Sequence, residues 1–173
     1  MFDVVLDTNV LADVIAAYYQ QNIRFGGNFV EYETITDMLV TKLNEVLNNF
    51  RDYGTFEKGV IIGSSFAFIE LARQFTRISR GRFSIVQFRA FIESPPEWFI
   101  IYPLNGELFQ YLNDLPNSVT MKDGSSLSLE WADTIHVATA LSRDENCMIA
   151  TTDGRLESIE EIAARLILKR IKS

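Results

Sequence analysis

Short apolar runs recur along this chain between longer amphipathic stretches, and that alternation limits the folds open to it. Phe2–Leu6, Val60–Ile62, Phe99–Tyr102 and Met148–Ala150 are the runs. Their length and β-branched content fit strands buried on both faces, as a parallel sheet requires. Between them, residues 9–19, 31–50, 65–79, 84–93, 105–115, 127–142 and 156–170 carry apolar side chains at steps of three and four. Val14 and Ala17 show the helical spacing early, and Ile159, Ile162, Ala163 and Leu166 show it late. Strand and helix in alternation predict an α/β protein, a three-layer α/β/α sandwich around a central parallel sheet of four to five strands. With 173 residues, 47% of them hydrophobic, there is material for one core. No linker divides the chain, so residues 1–173 read as a single domain with an extended helical segment at about 18–58.

Charge narrows the functional classes. The formal net charge is −7, which opposes nucleic-acid binding in bulk, because phosphate recognition is mainly electrostatic. The charge is unevenly spread. Residues 71–90 hold Arg73, Arg77, Arg80, Arg82 and Arg89 and no acid, so the rest of the chain sets 11 basic side chains against 23 acidic ones. A basic strip on an acidic body can still hold a phosphate backbone, and the acidic remainder can attract a basic partner. Cys147 is the single cysteine, which excludes an internal disulfide or a cysteine-based zinc site and fits a reducing compartment. The start MFDVVLDTNV lacks the basic segment of a secretory signal, and no apolar run approaches the ~20 residues of a membrane span. The expectation is a cytoplasmic protein without membrane contact.

Four acids occupy unusual places. Asp7 follows the first strand, and Asp153 lies just past the last apolar run. In open parallel sheets, ligands bind beyond the carboxyl ends of the strands, so these two can face one crevice. Glu70 sits in Phe66-Ala67-Phe68-Ile69-Glu70-Leu71-Ala72, and Asp133 in Leu129-Glu130-Trp131-Ala132-Asp133-Thr134-Ile135. Carboxylates beside core faces are rare unless paired or bound to a cation. Grouped carboxylates repel, and a divalent cation removes that repulsion. Oxygen ligands alone favour a hard ion, Mg²⁺ or Mn²⁺, whose held water can attack a phosphodiester.

Each of these residues also has a plainer role. Asp7 can cap the helix that opens at Asn9, Glu70 can pair with Arg73 at i+3, and Asp153-Gly154 is a turn signal. His136 shares a helical face with Asp133 and reads as a half-buried structural histidine, with contact to the edge of the site as the alternative. Arg73, Arg77 and Arg80 continue a stripe from Glu70 at helical steps, either as a phosphate track or as a solvated face. Glu93 is a rival to Glu70, but it stands at a helix end before Pro95-Pro96. Lys169, Arg170 and Lys172 fit the dipole of a C-terminal helix.

Taken together, a strand ending in Asp7-Thr8-Asn9, a strand and helix leading to Glu70, Ala132-Asp133 before His136-Val137-Ala138-Thr139-Ala140, and a strand ending in Thr151-Thr152-Asp153 resemble the PIN domain. The similarity is greatest to the VapC-type toxin ribonucleases, and it runs from residue 2 to about residue 157. The resemblance implies a metal-dependent endoribonuclease, with Asp7, Glu70 and Asp133 as the main acids and Asp153 as a more variable fourth. It implies that Thr8 or Asn9, and Thr151 or Thr152, position acids and waters. Arg73, Arg77, Arg80 and Arg82 become RNA contacts. It further implies Mg²⁺ or Mn²⁺ as cofactor, RNA as substrate, a homodimer and, for a toxin, an antitoxin protein as partner. Two other classes stand beside this one. The first is a catalytically silent PIN scaffold that binds RNA or protein. The second is a phosphatase with Asp7 as nucleophile; there the usual second aspartate, two positions on, is replaced by Asn9.

Overall fold

The computed structural model describes residues 3–24, 61–97, 99–115, 118–121, 123–143, 147–151 and 167–170. Strands β1 (Val4–Leu6), β2 (Ile61–Ser64), β3 (Phe99–Tyr102), β6 (Met148–Thr151) and β7 (Ile167–Arg170) form one parallel sheet in the order β3-β2-β1-β6-β7. Strands β4 (Ser118–Thr120) and β5 (Ser126–Ser128) make a separate antiparallel hairpin. Helices are α1 (Thr8–Arg24), α2 (Ser65–Arg73), α3 (Phe75–Ser79), α4 (Ile85–Glu93), α5 (Gly106–Asp114) and α6 (Trp131–Arg143).

Alternate strand residues serve opposite faces. Val4 and Leu6 join Leu11 of α1, Phe68 and Leu71 of α2, and Phe91 of α4 in one core. Val5 and Ile62 join Val137 and Ala140 of α6 and Ile149 of β6 in another. Helix α5 closes the second face through Leu108 against Ile135 and Ala138 of α6. Helices therefore cover both faces of a parallel sheet, as the apolar strand pattern requires. At β2 the layers come close: a Cβ on Gly63 would lie 2.7 Å from Phe99 Cζ and 2.9 Å from Phe68 Cε2.

Local sequence explains most helix starts. Ser64 caps α2 by accepting from the Ala67 amide at 3.1 Å. Ser84 and Gln87 form a reciprocal capping box at α4, and Asn105 caps α5 through the Leu108 amide at 2.9 Å.

The sheet has five strands, at the top of the expected range, and the differences from expectation are local. The helix expected over 65–79 is two helices, broken at Gln74 (φ −113°, ψ 27°). The break turns Phe75 into an aromatic cluster, 5.6 Å from the Phe83 ring and 5.7 Å from the Phe88 ring. Residues 127 and 128, at the start of the helix expected over 127–142, belong to β5, and α6 begins at Trp131. Residues 167–170 are an edge strand on β6, not the end of a helix, so Lys169 and Arg170 do not answer a helix dipole. An apolar run this short suits strand and helix alike, and unpaired β6 backbone favours the strand. The amphipathic stretch 31–50 lies outside the described residues. No helix among the described residues is long and apolar enough to cross a membrane.

Candidate active site at the sheet edge

Strand order reverses at β1, which lies between β2 and β6. The crevice beyond the carboxyl ends of strands at such a reversal is the usual ligand position in open α/β sheets. Asp7 stands at that point. Its backbone amide donates to the Ala150 carbonyl at 3.0 Å, extending the β1–β6 pairing by one rung. Its carbonyl accepts the first helical bond of α1 from Leu11 at 2.8 Å. Asp7 Oδ1 caps α1 by accepting from the Val10 amide at 2.8 Å, and Oδ2 accepts from the Thr151 hydroxyl at 2.5 Å. The side chain is buried, with 7% of its surface exposed.

Capping and the site position thus coincide in Asp7. Thr151, at the end of β6, is fully buried and aims its hydroxyl at the carboxylate. A short hydrogen bond of this kind fixes the orientation of the carboxylate.

Thr8, the next residue, turns its hydroxyl the other way. It donates to Glu70 Oε2 of α2 at 2.5 Å. Gln74 Nε2, at the helix break, donates to Glu70 Oε1 at 3.3 Å. Glu70 therefore meets Thr8 and Gln74 rather than pairing with Arg73. Because Asp7 and Thr8 are adjacent in the chain, the half-buried Glu70 is brought to the same sheet edge as Asp7.

Helix α6 approaches from the opposite face of the sheet. His136 Nε2 lies 3.5 Å from Thr8 Oγ1, and the ring is 1% exposed, fully rather than half buried. Burial pushes the imidazole pKa down to about 4, against the opposing attraction of Glu70. Asp133 is in the first turn of α6, half-buried, and one turn before His136. Residues three apart share a helix face, so Asp133 lies on the side of α6 that meets the site.

Direct hydrogen bonds thus link Asp7 with Thr151, and Glu70 with Thr8, whereas Asp133 is related to them only through its position one turn before His136 on α6. Asn9 is exposed on α1. Thr152 and Asp153 lie outside the described residues. Glu93 is spent elsewhere, bonded to Arg89 at 3.1 Å at the exposed end of α4.

The arginine stripe needs correction. The break at Gln74 ends the single helix that would have carried it, and Arg80 caps α3 in the left-handed conformation at φ 52°. Arg82 is an ion-pair partner of Asp13 on α1 and donates to the carbonyls of Ser79 at 3.1 Å and Ile78 at 3.2 Å. It ties α3 to α1. Arg73 and Arg77 remain exposed and line a pocket of about 400 Å³ with Gln74, Phe75 and Thr76. Gln74 was missed from sequence, although its spacing of four from Glu70 was a usable signal.

Among the described residues, no three His, Cys, Asp or Glu side chains stand close enough together to hold a metal ion. The donor chemistry at the edge still suits a hard cation. Mg²⁺ commonly takes one or two carboxylates and completes its shell with water, and a carboxylate oxygen that accepts one hydrogen bond has a second lone pair.

No family model matches this chain, and no curated protein matches it. Among solved structures, the chain is similar in outline to one from the crystal structure of VapBC2 of Rickettsia felis bound to a DNA fragment from their promoter. That similarity has a TM-score of 0.49 and 16% sequence identity, over 99% of this chain and 100% of the other. Likeness at this level carries no weight about chemistry, which has to come from the site itself.

Proposed function

We propose that this chain is a PIN-type, metal-dependent endoribonuclease. The observation that supports it most is the Thr8 pivot. One hydroxyl, adjacent in sequence to a buried aspartate at the strand-order reversal, holds Glu70 from a separate helix at 2.5 Å. A carboxylate from a separate helix is thereby brought to the sheet edge where Asp7 stands, and carboxylates gathered at one edge favour a cation between them.

Asp7 and Glu70 would hold a Mg²⁺ or Mn²⁺ ion, with Asp133 and Asp153 as further oxygen donors. When bound, the cation supplies charge neutralisation and polarises the phosphate to be cut. The protein's own share is orientation. Thr151 fixes the Asp7 carboxylate, Thr8 and Gln74 fix that of Glu70, and Arg73 and Arg77 offer phosphate contacts beside Gln74. A homodimer and an antitoxin partner belong to the same reading. Light scattering of the purified chain tests the first, and co-purification with the product of an adjacent reading frame tests the second.

A second reading has one observation in its favour. The lack of a three-acid cluster among the described residues fits a silent PIN scaffold that binds RNA or protein without cutting.

The test is cleavage of a mixed structured RNA in Mg²⁺, Mn²⁺ or EDTA, by the wild type and by Asp7→Asn. Asparagine caps helices as well as aspartate does, so the variant should melt within a few degrees of the wild type. The expected result is metal-dependent cutting that falls on the order of 100-fold or more in Asp7→Asn. Equal cutting by both proteins would place the activity elsewhere. RNA binding without cutting in any metal would favour the silent scaffold.

A further inference from the structure

His136 is the single histidine of the chain. Among the described residues, its Nδ1 is the buried side-chain polar atom that finds no hydrogen-bond partner. A buried polar atom without a partner is costly, so its persistence calls for a reason. The proton count at Thr8 gives one. A threonine hydroxyl has one proton, and here it is committed to Glu70 Oε2 at 2.5 Å. Any hydrogen bond between Thr8 Oγ1 and His136 Nε2, 3.5 Å apart, must therefore take its proton from the imidazole. A neutral imidazole has one N–H. If that proton sits on Nε2, the atom that lacks a partner is a bare lone pair at Nδ1 and not a buried N–H. The other tautomer would set two lone pairs against each other at Nε2 and bury an unpaired N–H at Nδ1.

We propose that His136 is a positioning residue whose Nε2–H donates to Thr8, so that the Thr8 hydroxyl proton is held on Glu70. The consequence for the site rests on the reading of Glu70 as a functional carboxylate; the hydrogen-bond chain itself does not. His136 touches neither substrate nor cation in this arrangement. It removes the alternative in which the Thr8 hydroxyl rotates away and leaves Glu70 held by Gln74 alone. The chain joins both faces of the sheet, from α6 through the end of β1 to α2.

A single histidine makes the test direct. Uniform ¹⁵N labelling gives one imidazole spin system, read near neutral pH without any substrate. The expected pattern is a protonated Nε2 and an unprotonated Nδ1, with the Nε2 resonance moving in Thr8→Val, where the accepting oxygen is gone. A proton on Nδ1, or an Nε2 signal indifferent to Thr8→Val, would overturn the proposal. This arm stands whether or not the protein cuts RNA, so failure of the nuclease reading and failure of the relay are distinguishable.

In the cleavage assay, His136→Gln keeps a donor near the Nε2 position and should stay within about threefold of wild type, whereas His136→Asn and His136→Phe should lose about tenfold in kcat with KM unchanged. Adding His136→Phe to Thr8→Val should cost nothing more, because both break one chain. If the phenylalanine variant does not fold, the glutamine and asparagine pair decides the matter. Wild-type turnover in a folded His136→Phe or His136→Asn would refute the positioning role.

Discussion

Two buried regions flank β1 and are held together by different physics. Beneath α2, α3 and α4 lies an aromatic cluster of Phe68, Phe75, Phe83, Phe88, Phe91 and Phe99, with ring centroids 5.0 Å apart for Phe91 and Phe99. At the carboxyl edge of β1 and β6, short directional hydrogen bonds fix Asp7, Thr8, Glu70 and Thr151. Packing of apolar rings is strong in total and tolerant of small shifts. The edge holds fewer groups and depends on single protons. Stability should therefore come mainly from the first region and chemistry from the second, with little exchange between them.

The largest effect that would test this division is on the aromatic side. Phe91 is 1% exposed, and Phe91→Ala should cost roughly 3–5 kcal/mol in a urea titration, while protein that remains folded cuts RNA near the wild-type rate. Loss of turnover in the folded fraction would show that the two regions are coupled.

The next effect belongs to the edge and depends on pH. His136 titrates at about 4 in the folded chain and at 6.5 when unperturbed, because burial disfavours the charged ring. The folded pKa is depressed, so its contribution is fully present above pH 6.5 and disappears as pH falls toward 4. Over that window the unfolded chain binds the proton first, and the wild type should lose about 3 kcal/mol from this group. Stability curves for wild type and His136→Gln should draw together as pH drops through that range. Parallel curves would mean that the ring is not buried neutral.

The smallest expected effect sharpens the comparison most. Thr151→Val keeps the shape at the end of β6 but removes the donor to Asp7. It should cost about 2 kcal/mol of stability and lower turnover about tenfold. A large stability loss with unchanged turnover would reverse the roles assigned to the two regions.

Sequence patterns made the alternation of strands and helices, and the places of Asp7 and Asp133 at element ends, legible for local reasons. Asp7 ends a strand and caps a helix within a few residues, and Asp133 opens a helix with an apolar face, so both announce themselves in short windows. Long-range pairings left no such trace. The ion pair of Arg82 with Asp13 joins residues 69 positions apart. The break at Gln74 involves neither glycine nor proline, and its reason is the aromatic cluster that receives Phe75. Ile167–Arg170 forms a strand because β6 has an open edge, which is information about a neighbour. The β4–β5 hairpin was the avoidable omission, since Asp123-Gly124 between two short runs is a hairpin signal and Gly124 adopts φ 81°.

The double duty of Asp7 has a consequence for motion. Its amide closes a rung of the central sheet, its carbonyl starts α1, and its two carboxylate oxygens hold an amide and a hydroxyl. Loosening this residue means parting β1 from β6 and fraying α1 at once. Sites on surface loops can breathe independently of the scaffold, in the low-stability range of local opening. Asp7, tied to β6 and α1 at once, should instead open with the sheet core, its amide proton exchanging on the timescale of global unfolding. Any adjustment that lets a ligand enter must then come from the elements brought to this edge, α2 and the start of α6, and not from the strand end itself.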